Sequence, residues 1–232
     1  MAKNSSKQRS LGNDFWYKTL PVLTIGMIIW VLFTLLFSGF LGIKAIALNL
    51  IIVIVLIILY FLFWVITIIF SIKKNNILGM LFFLGASLIT GMLSSSFLIW
   101  ARTIVVFELV LGIFFIAFFS GLLITVGLLI MGIFLREKIS QKWIYPLVYF
   151  GFSLFALEIS LIVIFGYNPI LIITSIFVLI WLFGVILYDG SRLSDTVQEG
   201  YWMMAVLDIF LDLINVIIRI FVIIVEIIAE RS

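Results

Sequence analysis

The chain has 232 residues, of which 66% are apolar and only 11% are charged, and its net charge is +3. Soluble domains are about 45–50% apolar and about 25% charged, so this composition excludes a globular fold with a water-exposed surface. The absence of cysteine and histidine excludes disulfides, thiol nucleophiles, haem ligation and nearly all zinc sites. No extended basic face is available for nucleic acid.

Seven apolar segments follow a polar tail at residues 1–18, and most are long enough for a membrane helix of ~20 residues. The predicted spans are Thr19–Ile43, Ala45–Ile72, Ile77–Trp100, roughly Val105–Leu135, two helices within Trp143–Tyr188, and Tyr201–Ile228. A turn at Gly166–Pro169 separates the fifth span from the sixth. We therefore predict an all-α integral membrane protein with a single transmembrane domain at residues 19–228 and a short tail at 229–232.

The basic residues of the loops indicate the orientation of the chain. With the N-terminus inside, the inner segments hold ten of them: Lys3, Lys7, Arg9, Lys18, Lys73, Lys74, Arg136, Lys138, Lys142 and Arg192. The outer segments hold three: Lys44, Arg102 and Arg231. Because cytoplasmic loops carry the excess of lysine and arginine, we expect a cytoplasmic N-terminus and, after seven spans, an outside C-terminus.

Ionisable groups inside a membrane cost at least ~2.5–3.5 kcal/mol each at mid-span, so they normally face protein or water. The last span holds Asp208, Asp212, Asn215 and Arg219 at spacings of four, three and four. Such spacing predicts one polar stripe on one helix face, inside the bundle. The stripe either lines an ion pathway or binds neighbouring helices together, with Arg219 neutralising the acids.

Three further acids are less distinctive. Glu158 lies inside the fifth span, where a structural hydrogen bond and a pathway role are equally expected. Glu108 is placed near the outer interface, with the same two alternatives. Asp189 follows Tyr188 at the start of a polar loop that runs to Gly200, where an ordinary solvated residue is the simplest expectation.

Several segments resemble the transmembrane Bax inhibitor motif family, and its bacterial members in particular. The most specific is Leu211-Asp212-Leu213-Ile214-Asn215-Val216, which is similar to the family's Leu-Asp-Phe-Ile-Asn-Leu signature. Leu187-Tyr188-Asp189 resembles the Leu-Tyr-Asp that ends the family's sixth span. Gly91-Met92-Leu93-Ser94 with Phe97 resembles its Gly-x-x-Leu-Ser-x-x-Phe segment. Phe15-Trp16-Tyr17-Lys18 and Val105-Val106-Phe107-Glu108 are also similar, so the likeness runs along most of the chain.

The resemblance implies two three-helix layers around a central seventh helix, and a pH-sensitive calcium leak. In that scheme Asp189 and Asp212 match two aspartates that share a proton and sense pH. Lys73 matches a basic residue, usually arginine, that holds the span-six aspartate while the pore is shut. Lysine lacks the bidentate fork of arginine, so a weaker latch is expected here.

Chemistry adds a weak, transient calcium site at Asp208 and Asp212, with Asn215 as a further oxygen ligand. Calcium prefers oxygen ligands, and conduction requires that an ion leaves as readily as it enters. Glu108, Glu158 and Arg219 are assigned to the same pathway. Calcium is then the permeating ion, with no resident cofactor. The expected partners are the bilayer of the cell membrane, calcium ions and protons, with other membrane proteins as further candidates.

Two alternative functions remain open at this point. A proton-coupled secondary transporter of another solute would use the same acids as a proton relay. A non-transporting membrane scaffold or regulator would use the last helix only for packing. An enzyme is not expected, because no pair of nucleophile and base is visible in the sequence.

Overall fold

A computed structural model of the protein describes residues 13–41, 50–151, 153–154 and 170–230, and these residues form helices and turns without any strand. Their helices are α1 (Leu20–Leu36), α2 (Leu50–Ile72), α3 (Asn76–Ala101), α4 (Phe107–Leu135), α5 (144–151), α6 (Ile170–Gln198) and α7 (Trp202–Ala229). Short π-helical turns, Phe15–Thr19 and Phe37–Leu41, extend α1 at both ends. The prediction of an all-helical protein is confirmed for these residues.

Five of the described helices are long and apolar enough to cross a membrane: Phe15–Gly39, Ile54–Ile72, Asn76–Ala101, Phe107–Leu135 and Ile172–Gln198. Large apolar side chains cover their outer faces; Leu123 and Phe134 of α4 are 75% and 76% exposed. Exposed apolar surface on this scale is stable only against lipid or another protein. These helices indicate a multi-pass membrane protein. Most of the predicted fifth span, including Glu158, lies outside the described residues.

The last helix, α7, differs from those five because it carries four charged residues, Asp208, Asp212, Arg219 and Glu226. It packs mainly against α4 and α6, and it also contacts α1, α2 and α3. Its apolar residues are buried on several sides of the helix. These contacts with five helices bury Asp212 and Glu226, which reduces the cost of placing their charged groups in a membrane.

Small residues let α1 approach α3 closely. A Cβ added at Gly91 would lie 2.7 Å from the carbonyl oxygen of Trp30, so only glycine fits at this crossing. The Thr34 hydroxyl donates to the carbonyl oxygen of Gly91 at 3.2 Å, and the Trp30 indole donates to Ser94 at 3.0 Å. Such small-residue contacts with cross-helix hydrogen bonds are typical of helix pairs in membranes.

Candidate functional site: an acidic cavity between α6 and α7

A cavity of about 390 Å³ opens where α6 and α7 meet the ends of α2 and α4. Ile72, Leu129, Leu193 and Ile209 form much of its apolar wall. Its polar lining consists of Asp189, Arg192, Thr196, Glu199, Tyr201 and Asp208. Basic residues concentrate at this end of the bundle, which we call the basic end, defined by Lys73, Lys74, Arg136 and Arg192. The cavity therefore connects the basic end to two carboxyl groups deeper among the helices.

The course of α6 corrects the expected polar loop at 189–200. The helix continues through Asp189 and ends only at Gln198. Leu193 and Val197, four residues apart, are buried, so they extend the apolar face of α6 beyond Asp189. Asp189 is consequently a helical residue facing the cavity, not a solvated loop residue.

A close crossing of α4 and α6 fixes the position of Asp189. A Cβ at Gly132 would collide with the carbonyl oxygen of Leu187 and would lie 3.0 Å from the Cα of Gly190. A Cβ at Gly190 would lie 2.6 Å from the carbonyl oxygen of Leu129. With backbone against backbone on this side of α6, the neighbouring Asp189 is held at a defined depth in the cavity.

The carboxyl groups of Asp189 and Asp212 lie close enough to interact directly, although the two residues are 23 positions apart in the sequence. Asp212 is buried, with an exposed fraction of 5%. No donor in the described part of the chain reaches its Oδ2 atom. Ionised carboxylates only accept hydrogen bonds, so a bond between these two groups requires one proton on the pair.

Two further charged residues act on this pair. Asp208 is one turn before Asp212 on α7, and its charge acts on both Asp189 and Asp212. Arg192 is three residues after Asp189 on α6, and its guanidinium attracts the carboxylates of Asp189 and Asp208. Arg192 also donates to the hydroxyl of Tyr188 at 2.9 Å. Arg192 thus offsets part of the charge of two of the three carboxyl groups, Asp189 and Asp208.

The other members of the α7 stripe have different surroundings. Asn215 is exposed, so the stripe is not uniformly buried as its spacing predicts. Arg219 is half-buried, and its guanidinium lies 3.5 Å from the Ser175 hydroxyl of α6. Neither residue lines the cavity. The structure places the cluster of acids towards the basic end and Arg219 further along α7.

Glu108 and Lys73 also do not line the cavity. Glu108 is exposed in the first turn of α4, where a negative charge is stabilised by the helix dipole. Lys73 is exposed in the turn after α2, and the ion pairs found among the described residues, Lys18–Asp14 and Arg136–Asp195, do not include it. A latch between Lys73 and Asp189 stays a prediction.

The described residues contain no cluster of three side chains placed to hold a metal ion. Asp208 and Asp212 are one turn apart on the same helix and offer oxygen ligands from two carboxyl groups. Such a small set of ligands suits an ion that passes, because tight calcium sites use six to eight oxygen ligands. The weak calcium site stays a prediction.

No family model matches this chain. A search among curated proteins finds no match either. The likeness to the Bax inhibitor motif family therefore depends on the short motifs alone. Two of them, around Tyr188-Asp189 and Asp212, meet beside the cavity.

The sequence does not single out three polar residues of this region. The loop charges indicate only a role in topology for Arg192 and Lys74, and Tyr201 is only the start of the last span. In the structure the Lys74 side chain contacts Glu199 and Tyr201. The signal that could have found Arg192 is the helical spacing of Ile186, Leu193 and Val197, which predicts a helix through the supposed loop.

Proposed function

We propose that this protein is a pH-sensitive calcium leak of the cell membrane, with its N-terminus on the cytoplasmic side. The observation that carries the proposal is the close approach of Asp189 and Asp212 beside a cavity that reaches one of them. Two carboxyl groups at this distance, away from bulk water, are not both ionised cheaply, so they share a proton. The number of protons bound to this pair then changes with pH and controls the pathway.

The gating step uses charges already near the pair. While Asp189 is ionised, it attracts Arg192, and the two groups hold the α6 end of the cavity together with Asp208. Protonation of Asp189 removes that attraction and leaves Arg192 attracted to Asp208 alone. A difference of a few kcal/mol between the two arrangements shifts their populations by roughly a hundredfold. Lys73, as the resemblance implies, would provide an additional cation from the α2–α3 turn in a closed state.

The fold that supports this mechanism is a seven-helix bundle with α7 at its centre between two three-helix layers. The contacts of α7 with α1, α2, α3, α4 and α6 support the central position. The packing of α1 and α2 on α3, and of α4 on α6, supports the division into two groups. In this arrangement an ion passes along α7 by way of Asp208 and Asp212, where the charged stripe replaces part of its hydration shell.

Calcium flux into liposomes that contain the purified protein tests the proposal. The lumen holds a calcium indicator, and the flux is measured at two pH values with protein-free liposomes as the control. We expect a flux that depends on protein and increases at the lower pH. A flux that is absent at both pH values would overturn the proposal.

The size of the cavity favours a second candidate, a proton-coupled transporter. A volume of about 390 Å³ exceeds the need of a single ion and falls within the range of small-molecule sites. In this case the Asp189–Asp212 proton would be exchanged for a solute. Solute accumulation under an imposed proton gradient, without calcium flux, would distinguish the transporter from the leak.

A further inference from the structure

The turn between α2 and α3 has an unusual backbone conformation. The Asn75 N–H donates to the Phe70 carbonyl oxygen at 2.9 Å, and the Lys74 N–H donates to that of Ser71 at 3.0 Å. This is the Schellman arrangement, which normally has glycine at the left-handed position. Here Lys74 occupies that position with φ +56°, alone among the described residues other than glycine. A lysine kept at a strained position suggests that its side chain has a use.

The Lys74 side chain reaches across to the turn between α6 and α7. Its ammonium group donates to the carbonyl oxygen of Glu199 at 2.8 Å and lies 4.5 Å from the centre of the Tyr201 ring. The α6–α7 turn is itself a Schellman turn, with Gly200 at φ +86°. The carbonyl of Glu199 belongs to the C-terminal end of α6, where the helix dipole attracts a cation. The hydrogen bond, the contact with the aromatic ring and the helix dipole thus hold the ammonium group in one position.

Glu199 and Tyr201 line the acidic cavity, and so does Ile72, which ends α2. We propose that Lys74 is a positioning residue that connects the α2–α3 turn to the α6–α7 turn. This contact keeps the opening of the cavity at the basic end narrow. Lys73, its exposed neighbour, has no part in this contact.

The inference rests on the proposed function for its biological meaning, yet access to the cavity is measurable without any ion flux. The chain has no cysteine, so a single Ala205→Cys substitution places one thiol in the cavity wall. Ala205 is buried, with an exposed fraction of 2%, so its reaction with a charged, water-soluble thiol reagent reports on the width of the mouth. The labelling rate is measured in liposomes containing the full chain.

Lys74→Gly is the most informative change, because glycine prefers the left-handed conformation and preserves the turn while removing only the side chain. We expect it to increase the labelling rate of the introduced cysteine by about twofold to tenfold, the factor expected for the loss of one solvent-exposed hydrogen bond. Thermal stability should be maintained. Lys74→Arg should label as slowly as the wild-type protein, because a guanidinium also donates to a carbonyl and stacks on an aromatic ring.

Lys138→Ala, which removes an exposed lysine in the turn after α4 that does not line the cavity, is the control and should leave the labelling rate unchanged. Equal labelling rates in Lys74→Gly and Lys138→Ala would overturn the inference. If Lys74→Gly speeds labelling while wild-type liposomes show no calcium flux at any pH, the role of Lys74 stands and the proposed leak fails. If flux responds to pH but labelling is unchanged by Lys74→Gly, the proposed leak stands and the proposed role of Lys74 fails.

Discussion

The Asp212→Asn substitution tests the proton-sharing pair directly. An asparagine keeps the shape of the side chain and can donate from its amide to Asp189, but it carries no charge. Two carboxylates about 4 Å apart repel by about 4 kcal/mol at an effective dielectric constant of about 20. Water in the cavity screens part of this repulsion, because Asp189 lines the cavity and is partly exposed. We therefore expect the effective repulsion to be between one quarter and all of this energy. Its loss should shift the pH midpoint of the flux by roughly one to three pH units.

The measurement is calcium flux into liposomes over a series of pH values. Without the repulsion, the ionised form of Asp189 persists to lower pH, so the midpoint of the response should move in the acid direction. Between about pH 6 and 8 the flux of Asp212→Asn should then be nearly flat. Asp189→Asn, which cannot ionise, should leave the pathway open at every pH.

Asp208→Asn is the internal control, since Asp208 lies one turn from Asp212 on the same helix. It should weaken calcium binding with a smaller change in the pH midpoint, because Asp208 acts on the pair by charge and not by a shared proton. The shared-proton mechanism is wrong if both Asp189→Asn and Asp212→Asn retain the wild-type pH profile.

Two further predictions concern topology and packing. Single cysteines introduced at Asn75 and Ser140 should be labelled from the cytoplasmic side and one at Ser232 from the outside; cytoplasmic labelling of Ser232 would instead indicate a last helix that does not cross. Gly132→Ala should destabilise the protein by about 1–3 kcal/mol, because its Cβ would press on the backbone of α6. Gly127→Ala, where no atom lies within 4 Å, is its control, and equal melting temperatures of the two variants in detergent would contradict the close crossing.

Composition and hydropathy were sufficient to predict the helical fold, because the apolar runs are long and leave few alternatives. The spacing of Asp208 and Asp212 also placed these acids on the inner face of the last helix. The extension of α6 was harder to predict, since Gly190 and Ser191 favour a turn locally. The helical spacing of Leu193 and Val197 is the competing signal, and the burial of both side chains decides in favour of the helix.

The sequence also does not show which of the adjacent residues Lys73 and Lys74 contacts the α6–α7 turn. Which side chain points at the α6–α7 turn depends on the left-handed backbone at Lys74, and the usual marker of that conformation is glycine, not lysine. Likewise, helical spacing gives the angle of Asn215 around α7. Its exposure depends on where the neighbouring helices lie, which spacing does not determine.

The glycine crossing of α4 and α6 also limits how the molecule can move. Helices whose backbones touch at Gly132 and Gly190 have interlocked surfaces, and sliding one along the other would force carbonyl groups into Cα atoms. The two helices should therefore move as one rigid body in the proposed gating, by a hinge motion and not by shear. Spin labels on α4 and α6 would keep a constant separation while distances from either helix to α2 change. Displacement at the cavity would then be concentrated where α2 and α7 face this rigid pair.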